Sequence, residues 1–177
     1  NSDGSLQLTP GVTANVAGSI WSRSQVNVGA WTASFDYVAD KGKSATDGDG
    51  FSLAFQNAGT TALGGNGNSL GYAGIAGPSA AAQFEIYPGA QSAGPASNSS
   101  GFGVTPSGST AGMSKQNFFL PPSLLTSGTV LVNLSYSNST NFLAETLTSG
   151  ATSITQSFYG NLGAVFPGGK AYVGLTA

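Results

Sequence analysis

The 177 residues carry five Lys or Arg and seven Asp or Glu, for a net charge of −2, and they include neither cysteine nor histidine. Those absences remove a disulfide framework, a thiolate zinc site, the Ser-His-Asp triad and the commonest transition-metal ligand together. The five cations (Arg23, Lys41, Lys43, Lys115, Lys170) are scattered, and no apolar run reaches the length of about 18 residues that spans a bilayer, so neither nucleic acid nor a membrane-spanning helix is expected.

Charged residues make up 7% of the chain, against roughly 25% in an ordinary soluble domain, so solubility rests on Ser, Thr, Asn, Gln and backbone groups. A polar, uncharged surface of that kind points to an extracellular setting. No signal-like segment opens the sequence, which leads one to expect a processed protein or a piece cut from a longer one.

Along the chain, apolar and polar residues alternate at period two, and turn residues interrupt them about every eight to twelve positions, as in an all-β sandwich. Residues 5–8 are a first short strand, closed by Pro10-Gly11. Strands at 18–21 and 30–39 follow, the second placing Trp31, Ala33, Phe35 and Tyr37 on one face. Residues 51–56 set Phe51, Leu53 and Phe55 against Ser52 and Ala54, and 80–87 is the next strand. Segment 92–112, rich in Ser, Gly, Pro and Asn, is a long loop around a short strand at 101–105, and long loops on rigid sheets often carry function. Residues 120–125 form a connector. Strands at 129–136, 141–147, 151–158 and 170–175 complete the set. No linker divides the chain, so one domain over 1–177 is expected.

Chemistry concentrates in TDGDGFSLAFQNAGTTALGGNGNSLGYAGI, residues 46–75. As a calcium loop of the helix-loop-helix type it starts well at Asp47 and Asp49, but no further acid follows until Glu85. As a phosphate cradle it lacks a following helix and a nearby lysine. Asp47-Gly48 and Asp49-Gly50 also suit plain hairpin turns.

A further reading comes from order and spacing over nearly the whole chain. Trp21, Trp31-Thr-Ala-Ser-Phe35, Asp49-Gly50-Phe51-Ser-Leu-Ala-Phe55-Gln-Asn57, Ala62-Leu63-Gly64-Gly65, Leu70-Gly71-Tyr72 and Ala82-Gln83-Phe84-Glu85-Ile-Tyr87 follow one another, then Val132-Asn-Leu-Ser-Tyr136, Leu143-Ala-Glu-Thr-Leu147 and Ala171-Tyr-Val-Gly-Leu-Thr176. This series resembles the legume-type (L-type) lectins, particularly their secreted bacterial relatives. The resemblance implies a two-sheet jelly-roll sandwich of concanavalin A-like topology that binds a glycan or polysaccharide without turning it over. It implies that Asp49, after a cis peptide bond, accepts from two sugar hydroxyls, and that a backbone amide of Gly64, Gly65 or Gly67 donates to the sugar. An ionised acceptor and a fixed donor match paired hydroxyls, and glycine lets a ligand approach the backbone closely. Tyr72, Tyr87, Phe102 and Tyr159 are candidates to stack on a sugar face, and Asn98 to contact it. For Trp21 and Trp31 core packing is the favoured reading.

Members of that family hold calcium and manganese beside the sugar loop with Glu-x-Asp on a strand, then Asn, Asp and His. The matching strand here reads Gln83-Phe84-Glu85, and residues 88–100 contain no acid. A transition metal is therefore not expected; any bound ion is expected to be calcium, at Glu85 and Asn98, the alternative being that Glu85 is a carboxylate at the sheet edge hydrogen-bonded locally. Catalysis of the glucanase type needs paired acids facing one cleft, whereas Glu85 and Glu145 are the only glutamates and lie far apart in the chain. The resemblance also implies a strand before the segment 6–9 and another after 172–176, which pair in the back sheet. Shortening of either would leave an edge open to self-association, as in the structural subunit of a filament or coat.

Overall fold

The computed structural model describes residues 4–10, 13–38, 48–86, 99–105, 118–119 and 128–177. Within them the strands are β1 (Ser19–Trp21), β2 (Val26–Asn27), β3 (Ala30–Val38), β4 (Gly50–Gln56), β5 (Ser79–Glu85), β6 (Ser99–Thr105), β7 (Phe118–Phe119), β8 (Thr129–Ser137), β9 (Phe142–Ser149), β10 (Thr152–Tyr159) and β11 (Lys170–Thr176). The helical pieces are a 3-10 turn at Gly67–Ser69 and the short α1 (Leu162–Val165).

A seven-stranded sheet runs β1-β11-β4-β5-β6-β7, with β2 also on β11, and a four-stranded sheet runs β10-β9-β8-β3. Every pairing is antiparallel. The all-β, two-sheet sandwich expected from the alternation is the observed architecture. Two details differ from expectation. Residues 5–8 form no strand, and the two-residue strands β2 and β7 carry too little pattern to be seen in a sequence. The connector at 120–125 and most of the loop at 92–112 lie outside the described residues.

The space between the sheets is filled by the residues that the alternation turns inward. Phe51, Leu53, Phe55, Ala80, Ala82, Phe84 and Phe102 from the large sheet meet Val130, Val132, Leu134, Tyr136, Leu143 and Leu147 from the small one. Trp31, Phe35 and Tyr37 pack on this core from β3; Trp31 lies 4.9 Å from Phe55 and Tyr37 stacks 4.2 Å from Phe51. Tyr136 spends its hydroxyl twice at the rim, donating to the Gly160 carbonyl (2.9 Å) and accepting from the Leu162 amide (3.0 Å). That fixes the entry to α1, whose Leu162 and Val165 close one end of the core.

The large sheet is buried on its other face too. Ser52, Ala54, Gln56, Ala81, Gln83 and Glu85 alternate away from the main core, and all are buried. Their cover is residues 62–75, which place Leu70, Tyr72, Ala73 and Ile75 over Ala54 and Ala81 as a second, smaller core. Small side chains on that face make the close approach possible. At Gly174 a methyl would meet the Ile20 carbonyl oxygen at 2.2 Å and the Trp21 ring at 2.4 Å.

Candidate functional site

Residues 62–75 form two short arms and a tip. The Gly64 amide donates to the Gly71 carbonyl (2.7 Å), the Gly71 amide to the Gly65 carbonyl (2.9 Å), and the Gly65 amide to the Ala73 carbonyl (2.9 Å). The arms touch so closely that a methyl on Gly64 would lie 2.5 Å from the Ala73 carbonyl oxygen and 2.6 Å from the Tyr72 carbonyl carbon. The 3-10 turn at the tip is closed by the Leu70 amide on the Gly67 carbonyl (2.9 Å). Gly67 itself sits at φ +61°, where a side chain is disfavoured.

Asp49 comes to this tip from the strand below. It lies at the head of β4, after a cis Gly48-Asp49 peptide bond, and its carbonyl accepts from the Ile86 amide (2.8 Å) beyond the end of β5. Its carboxylate faces the loop, and a methyl on Gly67 would stand 3.0 Å from Asp49 Oδ2. A half-buried carboxylate and the backbone of Gly67 thus share one small space.

The three glycines that the sequence offers as amide donors are not equivalent. The amides of Gly64 and Gly65 are spent inside the loop, holding its arms together. Among the described residues, no acceptor takes the Gly67 amide. The aromatic candidates fall elsewhere. Tyr72 and Phe102 are buried, Tyr72 beneath the loop and Phe102 between the sheets, so neither presents a ring face to a ligand. Tyr159 is exposed, but on β10 of the other sheet, where it meets Phe142 edge to face at 5.7 Å. Tyr87 and Asn98 lie outside the described residues.

Glu85 stands opposite Gly50 in the β4–β5 register, at the same end of the sheet as Asp49, and is fully buried. Gln83, two residues back on the same face, donates through Nε2 to the Tyr72 hydroxyl at 2.6 Å. Burial raises the Tyr72 phenol well above its ordinary value, and the bond from Gln83 partly offsets this. At the strand position where the resemblance implies a metal carboxylate, this chain therefore holds an amide whose nitrogen is committed to a phenol. Among the described residues, no three of His, Cys, Asp and Glu lie together. The carboxylate here is Glu85, an oxygen donor of the kind calcium takes, and the chain has no histidine or cysteine, the nitrogen and sulfur ligands that transition metals prefer. Among the described residues, the donor set does not fit a two-ion centre.

The sequence reading missed the residues that carry the loop. Trp21 Nε1 (2.7 Å) and Ser19 Oγ (2.9 Å) both donate to the Ala62 carbonyl, fixing the first arm to β1. Thr176 Oγ1 donates to the Leu70 carbonyl at 2.6 Å, and Ser52 Oγ lies 2.7 Å from Thr176 Oγ1. Trp21 is thus half in the small core and half a hydrogen-bond donor, beyond the packing role expected of it. Only the alternation of β4 and β11, which turns Ser52 and Thr176 to one face, hints at the second pair.

No family model matches the chain, and no curated protein matches it. Solved structures do. The basic winged bean lectin with Tn-antigen superimposes with a TM-score of 0.71 at 20% identity, covering 92% of this chain and 70% of that one. A lectin from Bauhinia forficata in complex with N-acetylgalactosamine gives 0.66 at 14% identity, covering 91% and 72%. Peanut lectin with a nine-residue peptide gives 0.68 at 21% identity, covering 97% and 76%. Identities this low speak for architecture and not for ligand. The chain has the legume-lectin fold, a jelly-roll sandwich of two antiparallel sheets with a glycine-rich loop laid over the larger one.

Proposed function

We propose that this chain is a secreted, non-enzymatic carbohydrate-binding module of a cell-surface or adhesin-type protein. Its ligand contacts on this reading are the Asp49 carboxylate and the Gly67 amide. The observation that carries the reading is their juxtaposition: the Asp49 carboxylate faces Gly67 so closely that a methyl there would stand 3.0 Å from Oδ2, and among the described residues no acceptor takes the Gly67 amide. Neighbouring sugar hydroxyls donate to the carboxylate while a ring or hydroxyl oxygen accepts from the amide, and charge-assisted bonds of this type are the stronger ones. Gly64 and Gly65 act as the frame of the loop. The two glutamates support binding without turnover, since Glu145 points into the space between the sheets and Glu85 into the face beneath the loop, so they flank no common bond.

The lectin structures with Tn-antigen and N-acetylgalactosamine make those two the first probes. A glycan array probed with the wild-type chain and with Asp49→Ala tests the proposal. Binding lost in the variant supports it; binding that survives the substitution removes Asp49 from the site, and an array without any hit removes the function. For the ion, we infer that Glu85 suits calcium, a hard cation that takes carboxylate oxygen, and that no manganese or zinc is held.

A second reading, a structural subunit of an extracellular filament or coat, has one observation in its favour. β3 and β10 bound the small sheet, and among the described residues each has a ladder partner on one side only. A nine-residue edge such as β3 is a template for strand addition by another copy.

A further inference from the structure

We propose that the loop over the large sheet is locked in its working shape by the chain's own buried hydroxyl and amide side chains, so that site geometry does not depend on a metal ion. This rests on the glycan reading for what the loop is used for, but not for how it is held.

The lock has two parts. The first is a hydrogen-bond chain from β4 through β11 to the loop. Thr176 has one hydroxyl proton, and it goes to the Leu70 carbonyl at 2.6 Å. The Ser52 hydroxyl at 2.7 Å is therefore the donor to Thr176 Oγ1. Both side chains are fully buried, so each bond lies out of reach of competing water. The bond lands where the loop most needs it: Leu70 is buried at φ +49°, a left-handed conformation that disfavours a residue with a side chain, and its own amide closes the turn on Gly67. Thr176 thus acts on Gly67 through one residue, as a positioning residue. The second part is the pair between Gln83 and Tyr72, which pins the far arm to β5 at 2.6 Å. Gln83 is neutral, so it makes this bond without a cation to offset a buried charge.

The test is hydrogen exchange of residues 62–75 by mass spectrometry, on the wild-type chain with and without EDTA and on Thr176→Val and Thr176→Ser. Valine keeps the shape of threonine and removes the hydroxyl, whereas serine retains the donor. The expected result is exchange in the wild type within about twofold with and without chelator, a rise of roughly fivefold to tenfold in Thr176→Val, the yield of one net hydrogen bond, and near-wild-type exchange in Thr176→Ser. Loss of protection on chelation, restored by added calcium or manganese, would overturn the proposal. So would a Thr176→Val loop that exchanges like the wild type. If Thr176→Val does not fold, the chelator comparison on the wild-type chain alone still decides. Exchange needs no sugar, so an empty glycan array and a metal-dependent loop are separate failures.

Discussion

A methyl added to Gly67 would enter the space beside Asp49 Oδ2, at 3.0 Å, on a residue already at φ +61°. Gly67→Ala is therefore expected to lower glycan affinity by tenfold or more while costing the fold only about 1 kcal/mol, the usual cost of a side chain in that conformation. Asp49→Asn keeps size and one acceptor but gives up the charge, and its affinity is expected to fall by roughly tenfold to a hundredfold, as charge-assisted bonds become neutral ones. Calorimetric titration with the best array ligand checks both, and a Gly67→Ala chain that binds like the wild type would move the donor elsewhere. The sequence singles out Asp49 only through the order and spacing of the segments around it, since an Asp-Gly pair alone suits a plain turn. That Gly67, rather than Gly64 or Gly65, holds the uncommitted amide was not legible there, since which amides a loop spends on itself depends on how its arms fold back.

Glu145 makes a different residue-scale case. The alternation of β9 turns it inward with Leu143 and Leu147, and there Oε1 accepts from Ser100 Oγ across the sheets at 2.5 Å while Oε2 is buried with no partner among the described residues. Burial pushes its carboxyl up to about 7 from an ordinary 4.5, and the Ser100 bond lowers it only in part. The folded chain thus holds this proton more tightly than the unfolded one. Its contribution to stability is full below about pH 4.5, declines as pH rises, and is lost above about pH 7, a span on the order of 3 kcal/mol. Glu145→Gln is expected to flatten the pH dependence of urea unfolding across that window and to be more stable than the parent at pH 8. A variant with the parent's pH profile would assign the dependence to other groups.

At the scale of elements, β4 and the loop above it explain each other. Phe51, Leu53 and Phe55 announce one buried face of β4, and Ser52, Ala54 and Gln56 look like a solvent face. They are buried because residues 62–75 fold over them, and short or polar side chains there leave the depth the loop needs. Period two cannot tell a wet face from one covered by a polar-bonded loop. Where the loop crosses β11 the fit is tight: a methyl on Gly71, at φ +68°, would meet the Ala177 carbonyl oxygen at 2.7 Å. Gly71→Ala is expected to destabilise the domain by about 1–3 kcal/mol, lowering Tm by several degrees in a thermal melt. An unchanged Tm would mean that the loop sits looser on β11 than the geometry has it.

Across the whole molecule, the sandwich was readable because nearly every strand carries a period-two signal and a turn at each end. The partners of each strand were not. The last segment, 170–176, reads as one more strand, and only tertiary pairing places β11 between β1 and β4, where Thr176 reaches the loop. Two whole-molecule outcomes follow. Metal analysis of the purified chain is expected to find no stoichiometric manganese or zinc, and finding either would contradict the amide-for-carboxylate argument at Gln83. Sedimentation separates the functional readings, because a module that only binds glycans remains monomeric, whereas edge pairing through β3 yields species that grow with concentration.

The most direct measurement of the central claim is an amide NMR titration of the isotope-labelled chain with the glycan that ranks highest on the array. The Gly67 amide is expected to shift most, with Asp49 and the turn at 67–69 beside it, while the amides of Gly64 and Gly65, already bonded within the loop, shift little. Shifts gathered on the outer face of β8, β9 and β10, with Gly67 unmoved, would contradict that claim.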